Sequence, residues 1–559
     1  MKKNYLTISE NLKMIFWCCT AMICLLPSVA KAQSTEQPNA ILTFAQSGKT
    51  VKIGIAGESG ATFKVDWGDG NLAEYEKGQY ITETLKGETV KIYYPGLMQI
   101  VANNVGLKAA DLTNAPKMVQ IQMNQNSLKA LDISKNPDLT GVYASGNQIA
   151  SLDVSNNGKI KVLDVNTNQI EGTIDCSGMN ALSKVDISYN KVETLIVPKH
   201  AVVNQIECSG NVLTALDVTG LSGMTELSCS ENQIEKLDLT GLTSLEKIYA
   251  DHNWIASIDI SPCKALKTLN VSFNRLSSIE LAKVPTLEGV YLYNNNLQNL
   301  DLTKNENIKW LNIANNELQA LNTSSMKSLN LLFADNNQIK DIDLASNTKL
   351  MQLKLSHNLL KDINVSTMSY LSWLKVDNNQ LSTIDVGSNA YLYWLECDSN
   401  KIASLNLAKN TYLQWLAAEN NKLEQLDLSA NGNLQGLTLQ GNMMEKEAIE
   451  ACIAQLKDVS DVTIDKNNEL WGKKLDISYM PGTKDVDVSA VQAKGWIVRN
   501  EYGTTGITNN PNSNFEISHT KYFGLDGQEL TRLSTQDSVV IVKEYGKDGT
   551  VRIYKRMAR

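Results

Sequence analysis

Apolar residues return along most of this chain at a fixed interval. Around Asn274 they stand at Leu266, Leu269, Val271, Leu276, Ile279 and Leu281, with polar residues between them. The same set recurs around asparagines at 126, 147, 168, 190, 211, 232, 253, 274, 295, 316, 337, 358, 379, 400, 421 and 442. Fourteen of the fifteen intervals are 21 residues and one is 22. The unit reads L-x-x-L-x-L-x-x-N-x-L-x-x-L-D-L-S, and its L-x-L core predicts a short strand in each copy. One such unit cannot bury its own apolar side. Stacked units bury a continuous strip, and stability becomes a sum of nearest-neighbour terms. The pattern therefore predicts a repeat solenoid of about 16 coils. At about 4.8 Å per coil its parallel sheet, on the concave face, is on the order of 75–80 Å long.

The asparagine row has a structural task. Each coil turns after its strand and leaves backbone groups inside. An amide side chain both donates and accepts, so it satisfies the backbone of its own coil and the next. Leaving such a buried group unpaired costs about 1–3 kcal/mol. This period and template are the leucine-rich-repeat signature. The unit with its second short LDL or IDI segment resembles the bacterial internalin-type repeats, especially those with L-x-C-x-x-N units. Cys208, Cys229 and Cys397 stand three residues before a ladder asparagine, where that group carries a cysteine row. The row is broken here by Ala250, Val271, Leu292, Ile313, Ala334, Leu355, Val376 and Ala418. The three cysteines read as small core hydrophobes, and in-register neighbours fit disulfide torsion poorly. The resemblance spans residues 118–499 and implies a fold more than a ligand.

Strand parity then selects candidate binding residues. Side chains alternate between faces, so Leu395 and Cys397 point inward, and Trp394, Glu396 and Asp398 point onto the open face. The same reasoning places Trp310, Trp373 and Trp415 there, with Leu331 in the coil between Trp310 and Trp373. Phe333, Lys354 and Lys375 fill the neighbouring outward row. YLSWL, YLYWL and YLQWL recur at 370, 391 and 412, so Tyr370, Tyr391 and Tyr412 line one rim, with Tyr393 beside them. Coils 310–421 are expected to expose a continuous aromatic band. Contiguous exposed apolar patches mark binding sites, and Trp and Tyr are favoured anchors. A protein ligand would use the band as its anchor set, with Lys354, Lys375, Glu396 and Asp398 fixing orientation. A glycan would stack its sugar faces on the indoles. Mutual stacking that only stiffens the array is the structural alternative.

A second outward row is acidic: Asp217, Asp238, Asp259, Glu280, Asp301, Asn322, Asp343, Asn364, Asp385, Asn406 and Asp427. Like charges one coil apart repel by roughly 1 kcal/mol in water. Alternation with asparagine from 301 to 427 relieves that repulsion, and the unrelieved run 217–301 is the place where a cation such as calcium would collect. The structural reading of the row is preferred.

The flanks differ from the array. Lys2, Lys3 and Lys13, the apolar run 14–26 and Ala30-Lys31-Ala32 read as a cleaved signal peptide, residues 1–32. The run is short for a membrane span, and Cys18, Cys19 and Cys24 lack the small-residue context of lipid anchoring. Residues 33–97 read as a small β-rich domain. Its VDWGDG resembles a turn motif of extracellular immunoglobulin-like bacterial modules. Asp66, Asp69 and Glu74 lack EF-hand spacing and read as turn chemistry. The solenoid, 98–444, opens on a degenerate coil over 98–117. Residues 445–499 read as a cap, helical over EKEAIEACIAQLK and followed by VTID (462–465) and AVQAKGW (490–496). Residues 500–514 read as a linker, and 515–559 as a β-rich tail. The tail resembles the sorting module of type IX secretion substrates at Tyr522, Gly527, Val539–Val542, Gly549 and Lys555, departing from it at Asp537-Ser538.

Chemistry is sparse. The chain has 559 residues, a net charge of −8, nine cysteines and four histidines. An acidic chain argues against a nucleic-acid partner. His200, His252, His357 and His519 form no metal pair. His252 and His357 lie five coils apart, on the order of 24 Å. No nucleophile elbow and no phosphate loop occurs. The expectation is an exported, monomeric, non-enzymatic binding or adhesion protein, secreted or at the cell surface, with no cofactor, no bound metal and no transmembrane span in the mature chain.

Overall fold

A computed structural model describes residues 37–76, 78–199, 202–462 and 472–501, and the backbone of four strands between 517 and 556. The signal-peptide reading, His200, the side chain of His519, most of VTID and most of the linker lie outside the described residues. The chain divides into two compact units, one ending at Pro198 and the other beginning at Lys199.

The first unit opens with antiparallel strands. Strands 72–75, 63–66, 89–93, 40–44 and 107–111 form one sheet in that order. Strand 50–57 pairs antiparallel with 79–84 on one side and 97–101 on the other. Strand 97–101 then runs parallel to 120–122. Strands 141–143, 162–164 and 184–186 extend that ladder in register. The segment read as a degenerate first coil thus has an antiparallel partner on its outer edge, which satisfies backbone groups that an open sheet edge leaves unpaired. In the WGDG turn, the Asp66 carboxylate accepts the N–H groups of Gly68 and Gly70 at 2.8 and 2.9 Å. Asp69 accepts from the Asn71 side chain and N–H, and these bonds, with a smaller pull from the Lys86 ion pair, hold its carboxyl down at about 2. A Cβ on Gly68 would sit 2.5 Å from the Gly87 nitrogen, so this turn packs too closely for any side chain. Trp67 is buried beneath it and donates to the Tyr75 hydroxyl at 3.0 Å.

The second unit carries fourteen short strands, from 205–207 to 497–499, paired in parallel. Each has three residues, and in all but the last, 497–499, the central side chain is buried; the residues on either side of it point to the open face. The ladder does not stop at the last landmark asparagine. Strands 474–476 and 497–499 continue its register, and helix 446–454, burying Ile449, Cys452 and Ile453, takes the place of a plain turn between coils. The segment read as a cap thus supplies further strands to the ladder. The tail strands 529–530, 517–523, 540–546 and 551–556 pair antiparallel in that order.

The asparagine ladder accounts for the period. Asn379 donates to the carbonyls of Val376 and Asp377 in its own coil and of Leu355 in the preceding one, at 2.9–3.1 Å. Its Oδ1 accepts the Leu360 N–H at 3.0 Å. The cross-coil partners lie in the coil before, where the sequence reading placed them in the coil after. The residue preceding the landmark takes a left-handed conformation in coil after coil, with φ near 50° at His252, Phe273, Asn294, Asn336, His357 and Ser399. That turn is what aims the amide inward.

A second asparagine row escaped the sequence reading. Asn136, Asn157, Asn305, Asn347, Asn389, Asn410 and Asn431 stand ten residues after a landmark and are buried. Asn410 donates to the carbonyls of Val386 and Asn389, both at 3.0 Å. In other coils Leu221, Leu242, Cys263, Val284, Met326 or Met368 fills the same position. An asparagine that alternates with apolar residues at one repeat position was the available signal.

The acidic row forms turns. The Asp238, Asp259, Asp301, Asp343, Asp385 and Asp427 carboxylates each accept the backbone N–H two residues on, at 2.9–3.0 Å. Asn322, Asn364 and Asn406 do the same with their amide oxygens. An acceptor is all this Asx turn requires, which is why Asp and Asn interchange along the row. Lys199 and Thr219 together hold the Asp217 carboxyl down at about 2. Among the described residues no group of three or more His, Cys, Asp or Glu is arranged to hold a metal ion. No described helix is long and apolar enough to cross a membrane.

Candidate functional site

The open face of the second unit gathers the sequence-selected residues around three adjacent strands. Trp373, Trp394 and Trp415 pair in exact register across strands 373–375, 394–396 and 415–417. Leu374, Leu395 and Leu416 beneath them are fully buried, so the indoles lie on the outward side, as strand parity requires. Their ring centroids stand 5.2 Å apart for Trp373–Trp394 and 5.0 Å for Trp394–Trp415, the latter pair within 9° of parallel.

Stacking changes the expected surface in two ways. Trp394 is only 7% exposed, because its neighbours cover both of its faces and its Nε1 donates to Glu396 at 2.6 Å. It is a buttress between two half-exposed rings and not an open platform. The band is also discontinuous. Two coils separate Trp310 from Trp373, carrying Leu331 and Gln352 in the same row, and the polar Gln352 interrupts it. Three repeats divide 310 from 373, so a single intervening residue was a miscount. Trp310 stands apart, 39% exposed.

The charged candidates converge on the ladder. Lys354 places its Nζ 4.3 Å from the Phe333 ring centroid and 4.9 Å from that of Trp373. Burial lowers its pKa. Lys375 pairs with Glu396 at 2.6 Å. Burial opposes its charge, but Glu396, Asp377 and Asp335 outweigh it and raise the pKa. Asp398 is half-buried and accepts the Glu419 N–H at 2.7 Å. Its carboxyl is pushed up to about 8, by burial first and then by Glu419, Asp377 and Glu396.

The tyrosines form the rim. Tyr370, Tyr391 and Tyr412 are 62%, 58% and 57% exposed, and Tyr391 and Tyr412 stack at 6.0 Å. Tyr393 is half-buried with its ring edge-on to Trp373 at 6.1 Å. Two further contributors were missed. Gly436 ends the indole row, since a Cβ there would lie 2.1 Å from Trp415 ring carbons. Asp377 and Glu419 extend the Asp398 row on either side, a pattern visible in the sequence at the same repeat position.

The cysteines read as core residues are buried. Cys397 directs its thiol at the Ala417 carbonyl at 3.5 Å. With 21-residue coils, a landmark asparagine in each and an in-register parallel sheet, the architecture is settled. The fold is that of the leucine-rich-repeat proteins. A leucine-rich-repeat protein of Leptospira interrogans superposes with a TM-score of 0.50 at 20% identity, over 62% of this chain and 90% of that one. The PEPR1–AtPEP1 crystal structure gives 0.52 at 16% identity, over 71% and 63%. The functional domain of InlJ from Listeria monocytogenes, described as including a cysteine ladder, gives 0.49 at 18% identity, over 86% and 93%. No protein-family model and no curated protein matches the sequence. At these identities the likeness is one of fold. The leucine-rich-repeat sheet of this chain carries its own surface, which has to be read from its own residues.

Proposed function

We propose that this chain is an exported, non-enzymatic binding protein that takes a protein ligand on the open face of its second unit. The observation that carries the reading is the Trp373–Trp394–Trp415 stack beside the exposed Tyr370–Tyr391–Tyr412 rim. Large, rigid side chains fixed by their neighbours lose little entropy on binding and make effective anchors. Stacking favours a protein over a glycan. The indole faces that a sugar ring would cover are already turned to each other, and what remains outward is ring edge, tyrosine and charge. The structure of PEPR1–AtPEP1 is named for a pair of molecules, which suits the same reading of a related sheet.

Export rests on residues 1–32, and placement at the surface or outside the cell rests on them and on the sorting-like tail 515–559. The scarcity of histidine and the lack of a catalytic motif in the sequence support a binding role.

The test is capture of partners from surface extracts by the full-length chain, beside a Trp373→Ala/Trp394→Ala/Trp415→Ala variant and a Tyr391→Ala/Tyr412→Ala variant. Both variants are checked for native secondary structure. Loss of specific capture in either folded variant supports the reading, and unchanged capture by both removes it.

A further inference from the structure

The chemistry of the ligand is written in a row two outward positions from the indoles. Asp335, Asp377, Asp398 and Glu419 occupy one outward repeat position, and Glu396 lies next to them. Against these five carboxylates the same patch offers two lysines. Lys375 is taken up by Glu396, and Lys354 lies over Phe333 and Trp373. Among the described residues neither Asp398 nor Glu419 forms an ion pair; Glu419 accepts from the Gln440 side-chain amide, and Asp398 accepts a backbone N–H. Asp377 receives hydrogen bonds from Ser356 and Asn378 and faces His357 at 3.8 Å.

The same repeat position elsewhere on this sheet shows what an internally satisfied carboxylate looks like. Asp251 accepts from Ser230 at 2.6 Å, from Asn270 at 2.8 Å and from His252 at 2.9 Å. Its surroundings supply three side-chain donors. Asp398 has like charges as neighbours, and they add to burial in raising its pKa. A partly buried carboxylate among other carboxylates is costly unless something positive reaches it. The row lies two outward positions from the indole row, beyond the Lys354–Lys375–Glu396 row, and both rows repeat once per coil. A linear ligand crossing the strands touches both at once.

We propose that the segment seated on this face is a cationic, extended stretch of a partner protein. Its Lys or Arg side chains meet Asp377, Glu419 and Asp398, the last giving up its proton to solvent as the cation arrives, and its apolar side chains lie on the edges of Trp373, Trp394 and Trp415. This rests on the reading of the face as a protein-binding site and adds the sign and form of the ligand. Electrostatic complementarity of this kind sets specificity and encounter rate, and it weakens with salt.

The test uses the full-length chain and three short fluorescein-labelled peptides, alternating Lys with Leu, Lys with Ser, and Glu with Leu. Anisotropy should show the Lys–Leu peptide binding about tenfold or more tightly than either control, with affinity falling as salt rises. Asp398→Asn/Glu419→Gln keeps side-chain shape and acceptor atoms, so it should fold normally and still lose about tenfold for Lys–Leu. Equal binding of Glu–Leu, or an unchanged affinity in the amide variant, overturns the proposal. Surface-extract capture separates the two levels. If the amide variant captures partners normally while the tryptophan or tyrosine variant does not, the cationic ligand is wrong and the face reading stands. If none of the variants changes capture, both fall.

Discussion

Gly436 lies directly against the outer ring of Trp415. A Cβ built at 436 would come within 2.1 Å of the indole Cε3 and Cζ3. Strand neighbours in register place one residue per coil in this row, so the row of indoles ends where the residue below has no side chain. Gly436→Ala should therefore force Trp415 out of its present seat between Trp394 and residue 436 without straining the backbone at 436, where φ is not positive. Overpacking of this kind costs about 1–3 kcal/mol. The expected signature is a shifted tryptophan emission maximum together with weaker partner capture. An unaltered spectrum would show that the ring accommodates the methyl and that the stack is not held by this contact.

Asn379 tests the ladder. Replacing it with alanine strands the Leu360 N–H and the Leu355 and Val376 carbonyls in the interior. At about 1–3 kcal/mol for each unpaired group, part of it recovered by local relaxation, the net loss should exceed about 2 kcal/mol. Urea unfolding of the full chain measures it. A loss within about 0.5 kcal/mol, the range of ordinary surface changes, would mean that the turn finds other partners.

These two residues also show what was legible in the sequence. A landmark asparagine repeats sixteen times, and periodicity exposes any residue whose task recurs in every coil. Strand parity placed the indoles on the correct side for the same reason. Three kinds of fact were out of reach. Whether outward rings stand open or lean on each other depends on rotamers, and Trp394 is covered because both neighbours are also indoles. The contact of Gly436 with Trp415 joins two coils, and nothing within either coil announces it. The extra strands 474–476 and 497–499 follow a helix-containing coil whose length breaks the 21-residue count. The period that revealed the array therefore hid its continuation.

Buried thiols give a third check. Burial pushes Cys176, Cys229, Cys263 and Cys452 up to about 12, and Cys397 is raised as well. The thiolate is the reactive form, so the folded chain at pH 8 should resist a thiol reagent such as Ellman's and react fully once denatured. Rapid labelling of any of these five positions in the native chain would place it on a mobile surface and contradict the core reading.

Asp398 predicts an unusual pH response. Its carboxyl is carried from an ordinary 3.8 to about 8, first by burial and then by Glu419, Asp377 and Glu396, with the Glu419 N–H pulling the other way. Between about pH 4 and pH 8 the folded chain holds a proton here that the unfolded chain has released, so this site makes stability fall as pH rises across that window. Asp335, raised by its own burial, adds in the same direction. Asp217, held down at about 2, acts in a different window. It loses its contribution only as pH falls below about 4, so the two effects separate cleanly. Asp398→Asn cannot ionise and keeps an acceptor for the Glu419 N–H. Its melting temperature should match the wild type near pH 4, exceed it increasingly above that, and differ most at pH 8 and above, flattening the alkaline side of the curve. Thermal melts across that range at low salt decide it. Wild-type and variant curves that stay parallel from pH 5 to pH 9 would mean that Asp398 is ionised at neutral pH and that solvent reaches it freely.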